Sequence, residues 1–348
     1  MGPPEMCGYP HAVVALAEGL RILGVPFFAN RNHWKEAADS EQTLFVHDPE
    51  VGPDDCSVVV LDNCWTYSKS ELPALALHRG RRFKSVYFDF EDGFPCTACG
   101  EEFRSFDRIF RAHWNYFVEY PSNFEPWVFG PTSRMIRETE NAPAFSSRER
   151  SVFVSYRIGH PLRVRADHHF IETLGKHMAV DRYTDDFAAP ADAYHWQQWH
   201  QTGRRHHPEY YRRLKNSQMC ACFGGRLPFV ETRRESRAYA MVDRLRAKLH
   251  VLPRHVVQWD SFRLWESWCA GAAAIHVDLE KYGARLPEMP RNWEHYVGID
   301  FDHPRQAIER VLEEPETVEK VAAQGRAWAL ENYHPTRIAR RFLSRLAA

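Results

Sequence analysis

Residues 260–283 read DSFRLWESWCAGAAAIHVDLEKYG. Asp260 or Ser261 supplies a side chain able to cap a helix beginning near Phe262. Leu264, Trp265, Trp268 and Cys269 give that helix an apolar face, Cys-Ala-Gly turns it off, and AAAIHVD is an apolar run of strand length. Two residues sit poorly in a plain core helix. Arg263 opposes the macrodipole in the first turn unless an anion is there or the side chain points away. Glu266 falls among apolar neighbours, where a carboxylate needs a partner such as a pair of sugar hydroxyls or an Arg. A helix N-terminus also attracts phosphate through its free N–H groups. The stretch is either a capped core helix with Glu266 in a structural ion pair, or the wall of a site for a phosphorylated ligand.

Working outward, runs of strand length recur: PFFAN (26–30), SVVVLDN (57–63), SVYFDF (85–90), SVFVSY (151–156) and CACFGG (220–225). Amphipathic stretches alternate with them, which predicts parallel α/β layers. HAVVALAEGLRILG (11–24) predicts a helix with Gly24 as its C-cap, lacking the first strand that usually precedes such a helix. The polar stretch 141–150 is the expected linker, placing a boundary near residue 148. Residues 181–213, rich in Trp, Tyr, His and Arg, read as an insertion or long loop. Three helices, 304–315, 315–333 and the segment from Pro335, close the chain.

A chain of 348 residues exceeds the usual single core, so two domains are expected, with a site in the cleft between them. At 44% hydrophobic and 26% charged residues the composition excludes a disordered chain, and no apolar run is long enough to span a membrane. The N-terminus lacks the basic region of a signal peptide, so the expected location is cytoplasmic. A net charge of -1 gives no global field for a polyanion, so nucleic acid is not an expected partner. Eight scattered cysteines do not form a disulfide framework, and Cys96-Thr-Ala-Cys99 is a lone CxxC, either a zinc pair or two incidental thiols. His195, His200, His206 and His207 cluster in sequence without a Cys or carboxylate at matching spacing, so no metal is expected there. Trp196, Trp199, Tyr210 and Tyr211 suit either stacking on sugars or packing onto the core. No GxGxxG follows a strand, which counts against an NAD-dependent oxidoreductase.

The order Ser-x-Arg-x-x-Glu, apolar turn, Ala-Gly, small apolar strand, Asp in 260–278 resembles the nucleotide-binding element of GT-B glycosyltransferases of the group-1 and exostosin-like types. The flanks YYRRLKNSQMCACFGGRLPF and GRAWALENYHPTRIARRF resemble their neighbouring elements, so the likeness covers roughly residues 208–342. It implies two Rossmann-like domains facing a central cleft: an acceptor-binding domain over 1–148, a donor domain over 149–330, and a C-terminal helix in 331–348 crossing back to the first. It implies transfer of a sugar, hexosyl or related, from a nucleotide-sugar co-substrate to a small-molecule or glycan acceptor, with no further cofactor and no essential metal.

By the same likeness Glu266 would hold the donor ribose, while Asp260, Ser261 and Arg263 would lie near the diphosphate. Tyr156, Arg157, His160, Arg163 and Arg165 occupy the place of the family's basic residues after the first strand of the donor domain, without its usual Lys. Arg suits that task because its planar fork binds diphosphate oxygens in pairs. Gly224, Gly225 and Arg226 follow a strand where a ligand approaches the backbone, or form a turn. His11 resembles the catalytic base of inverting members, with an imidazole suited to neutral pH. Asp89 and Glu91 in FDFEDG either take the acceptor proton or form a solvated turn. The alternative is a GT-B-shaped protein that binds a nucleotide or glycan without catalysis.

Overall fold

The computed structural model describes residues 11–36, 41–63, 65, 72–78, 80–94, 96–183, 188–204, 207–225, 236–249, 251 and 256–347. Its strands are β1 (His33–Lys35), β2 (Thr43–Phe45), β3 (Val58–Asp62), β4 (Lys84–Asp89), β5 (Arg108–Arg111), β6 (Phe124–Pro126), β7 (Glu149–Val154), β8 (Ala179–Arg182), β9 (Ser217–Ala221), β10 (Ala273–Val277) and β11 (Val297–Ile299). Its helices of six residues or more are α1 (His11–Ile22), α2 (Ser133–Glu140), α3 (Pro161–Ala166), α4 (Ala193–Gln201), α5 (Pro208–Asn216), α6 (Ser236–Lys248), α7 (Phe262–Ala270), α8 (Pro304–Glu313), α9 (Pro315–Tyr333) and α10 (Pro335–Ala347).

Two parallel sheets form the frame. The first runs β3-β4-β5-β6, with Val60 opposite Val86, Tyr87 opposite Ile109 and Phe110 opposite Glu125. The second runs β11-β10-β9-β7-β8, with Phe153 opposite Cys220 and Ala274 also opposite Cys220 from the other side. β10 is buried along its whole length, as a parallel strand covered on both faces must be. Its alanines let α7 and α9 lie close against it. Gly271 ends α7 in the left-handed region at φ +62, its N–H bonding to the carbonyls of Ser267 and Trp268.

The carboxyl edges of the two sheets face each other. Phe129, just past β6, donates its N–H to Asp260 Oδ2 at 2.7 Å, and its ring lies 4.3 Å from that of Phe262. Past β5, the Asn115 amide donates to Tyr282 O at 2.9 Å, and Arg285 N–H returns to Trp114 O at 3.1 Å. This is the α/β architecture of two opposed Rossmann-like layers. The last helix returns to the first layer: α10 lies along α1, and Phe342 packs against Phe88, Phe110 and Trp127. Gly19 permits the approach, since a Cβ there would run into the Pro335 carbonyl and the Ala339 methyl.

Two expectations need correction. PFFAN is no strand; Pro26 has no N–H to give a ladder, and the segment is tied by Ala29 N–H to Val46 O at 2.8 Å. Much of 181–213 is helical rather than loop, because Asp192 caps α4 through the His195 N–H and His207 caps α5 through the Glu209 N–H.

Candidate functional site at the strand order reversal

From β7 the chain crosses to β8 on one side, then returns past β7 to β9 and continues outward to β10 and β11. The strand order therefore reverses between β7 and β9. In such sheets the crevice outside the carboxyl ends of those two strands is where ligands bind. Here its walls are Ser155–His160 after β7 and Cys222–Gly225 after β9.

Arg163, 8% exposed on α3, spans the gap. Its Nε donates to Phe223 O at 3.1 Å and its Nη1 to Arg157 O at 3.2 Å, which fixes the guanidinium at both strand ends. The same guanidinium lies 4.9 Å above the Tyr156 ring. A Cβ on Gly225 would sit 3.6 Å from His160 Nε2 and 3.7 Å from Arg163 Nη2, so this glycine faces both groups. Gly224 donates its N–H to Gln258 Oε1 at 2.7 Å, and a Cβ there would crowd that oxygen at 3.0 Å. Gly224 is therefore set by space, whereas a Cβ at Gly225 would make only ordinary contacts.

The first turn of α7 closes the third side. Ser261 does not cap its own helix; its Oγ donates to Cys222 O at 3.0 Å, docking the helix start on the end of β9. Arg263 reaches the end of β7, its Nε donating to Ser155 O and Oγ, both at 3.1 Å. Ser261 and Arg263 thus meet Tyr156, Arg163 and Gly225 at one crevice. Tyr156 is 1% exposed, its hydroxyl has no hydrogen-bond partner among the described residues, and burial holds its proton on well above the usual range. Arg157 is exposed, and Arg226 lies outside the described residues.

Three carboxylates expected at the site are used elsewhere. Glu266, 3% exposed, faces α5: its Oε2 accepts from the Tyr210 hydroxyl at 2.5 Å and its Oε1 from Tyr211 at 3.5 Å. Three residues on from Arg263, its carboxylate is held against α5 by the two tyrosine hydroxyls. Asp260 turns toward the opposite sheet, its Oδ2 accepting from Phe129 N–H and from Trp265 Nε1 at 2.8 Å. Asp89 is fully enclosed beneath Arg111, whose Nη1 lies 2.7 Å from Oδ2, and it accepts the Glu91 N–H at 2.9 Å. Glu91 remains half-buried and accepts the Thr97 N–H at 2.7 Å. His11 opens α1, and its side chain lies outside the described residues.

The tyrosine pair gives a direct check. Tyr210→Phe removes a hydrogen bond to a buried carboxylate, which is worth about 1.5–3 kcal/mol. The denaturant midpoint should fall accordingly.

His113 is a residue the sequence did not single out. It stands two positions past β5, 1% exposed, with Nδ1 donating to Glu91 O at 3.0 Å and Nε2 without a partner among the described residues. Burial and the Arg111 charge push its pKa down to about 3, so it is a neutral imidazole where the two sheets meet. Its ring lies 4.9 Å from that of Trp259, across the junction. In the aromatic segment, Trp196 stacks on His200 at 4.9 Å and His195 pairs with Asp192; His206 lies outside the described residues. Among the described residues no three His, Cys, Asp or Glu gather as a metal set, and no helix is long and apolar enough to cross a membrane. A hollow of about 640 Å³ bounded by Arg21, Phe27 and Thr43 lies at the C-terminal end of α1.

No family model and no curated protein matches the chain. Among solved structures it is similar to an alpha-glucosyltransferase in complex with UDP and a 13-mer DNA, at 7% identity and TM-score 0.49, over 85% of this chain and 81% of that one. It is also similar to a glycosyltransferase from Rickettsia africae, at 9% identity and TM-score 0.46, over 96% and 92% of the two chains. TarM is a third, at 10% identity and TM-score 0.42, over 84% of this chain and 54% of that one. With these three TM-scores below one half, the architecture of this chain rests on its own strand order and opposed carboxyl edges.

Proposed function

We propose that the chain is a GT-B-type glycosyltransferase that binds a nucleotide diphosphate sugar at the carboxyl edge of the five-stranded sheet. The sugar passes to an acceptor held on the side of the first layer. The observation that carries this reading is the meeting of Arg163, Arg263, Gly225 and the start of α7 at the strand order reversal. Two guanidiniums and a helix N-terminus offset the charge that grows on a diphosphate leaving group, and glycine lets the ligand approach the backbone. Transfer on this scheme proceeds without a metal ion or further cofactor, and chelator leaves it unchanged.

A panel of nucleotide diphosphates and nucleotide sugars, read by thermal shift and by release of free nucleotide, tests the proposal. A binding ligand raises the melting temperature because it binds only the folded chain. Arg163→Gln should weaken the bound nucleotide about 10- to 100-fold, the worth of a charged hydrogen bond of about 1.5–3 kcal/mol. Arg163→Lys, which keeps the charge and loses the fork, should fall between the two. Unchanged affinity in both variants would remove the crevice from the reading. The second reading, a nucleotide- or glycan-binding protein without catalysis, draws on Asp89 and Glu266 being committed inside the protein. Binding with neither hydrolysis nor transfer from any donor would favour it.

A further inference from the structure

The loop leaving β4 carries Cys96-Thr97-Ala98-Cys99. We propose that Cys96 and Cys99 are a thiol-modification site that closes reversibly to an intramolecular disulfide by exchange with a small-molecule disulfide such as oxidised glutathione.

The two Sγ atoms lie 3.1 Å apart, roughly 1 Å beyond a bonded separation of about 2.05 Å. A single turn holds them together: Cys99 N–H bonds to Cys96 O at 3.1 Å, and Gly100 N–H to Thr97 O at 3.0 Å. Exposure divides the pair into an attacking and a resolving thiol. Cys99 is half-buried and open to solvent, whereas Cys96 is 4% exposed. The other described cysteines differ: Cys220, Cys222 and Cys269 are buried, and Cys56 donates to Gly52 O at 3.6 Å. Donation from the Cys96 S–H favours the Cys99 thiolate and lowers its pKa, while the same contact and burial keep Cys96 protonated.

The exchange balances without another reactant. Cys99 thiolate attacks one sulfur of R–S–S–R, forming a mixed disulfide and releasing R–S⁻. Cys96 loses its proton to solvent as its sulfur attacks Cys99 Sγ, expelling the second R–S⁻. Two cysteine thiols are oxidised to one disulfide, and R–S–S–R is reduced to two thiols that take up the two protons. The turn is also connected to the first layer's edge, because Thr97, between the cysteines, donates its N–H to Glu91. This site stands independently of the proposed glycosyl transfer.

Lys84 and Arg104 bound one tryptic peptide, Ser85–Arg104, whose cysteines are Cys96 and Cys99. The full chain is equilibrated over a range of oxidised to reduced glutathione ratios, quenched with an alkylating reagent, digested and weighed. The expected wild-type product is that peptide lighter by two hydrogens and unalkylated, restored by dithiothreitol. Cys96→Ser should instead hold one glutathione on Cys99, and Cys99→Ser should leave Cys96 unmodified while the chain remains folded by circular dichroism. A wild-type peptide that carries glutathione without the internal bond, or stays fully alkylated at every ratio, overturns the proposal. Modification of Cys96 in Cys99→Ser at the wild-type rate overturns the assigned order of attack.

Discussion

Arg111→Met should destabilise the fold by about 3–5 kcal/mol, the usual cost of stranding one member of a buried ion pair. Asp89 would keep its place with no guanidinium above it. The loss extends to the loop after β4, since Arg111 Nη2 also donates to Gly93 O at 2.9 Å and the guanidinium lies 4.8 Å over the Phe94 ring. The whole stability of a domain is of order 5–15 kcal/mol, so a shift of this size is plain in a urea titration. Arg111→Met combined with Asp89→Leu should recover a large part of it, because removing both charges also removes their desolvation. If the double variant were no more stable than the single one, the ion pair would not be the source of the loss.

Raising the pH from about 4 to about 8 should weaken the native state through Asp260. Burial pushes this carboxyl up to about 8, while an unfolded Asp titrates near 4. The folded chain therefore binds the proton more tightly across that window. The stability linked to it is full below about pH 4, falls as pH rises toward 8 and levels off above, with a slope of at most about 1.4 kcal/mol per unit. Oδ1 has no hydrogen-bond partner among the described residues. Asp260→Asn keeps an oxygen for Phe129 N–H and Trp265 Nε1 and cannot ionise. It should be more stable than wild type at pH 9 by a few kcal/mol, with the difference shrinking toward pH 4. Glu18, pushed up to about 7, titrates in the same window, so the informative quantity is the difference between variant and wild type at each pH. A difference that does not change with pH would refute the assignment.

Periodicity located the helices at both ends of the chain and the strands β3, β4, β7 and β10 well. It missed β5 because Arg108 and Arg111 bracket only two apolar residues in RIFR. With β5 went His113 and Arg111, neither of which looks unusual until Asp89 and Trp259 are brought beside them. The segment 260–266 was half legible. The irregular place of Arg263 is met in the structure by its reach to Ser155 at the end of β7. Glu266 looked equally irregular, yet its partners come from α5, a helix that composition had disguised as loop with its Tyr and Arg content. A buried carboxylate demands a partner, and sequence does not say which side of the helix supplies it.

The return of α10 to α1 separates the order in which the chain is made from the order in which it can finish folding. Phe342 fills space between Phe88, Phe110 and Trp127 in the sheet built from residues before 130. On the ribosome the first layer must wait, with that aromatic face uncovered, until the last helix has emerged. The five-stranded sheet takes its strands from contiguous residues 149–299, and α9, which covers β10, follows at Pro315–Tyr333. Exposed apolar surface during that interval is where misassembly begins, so the aromatic face of the first layer is the part of the chain most in need of its last helix.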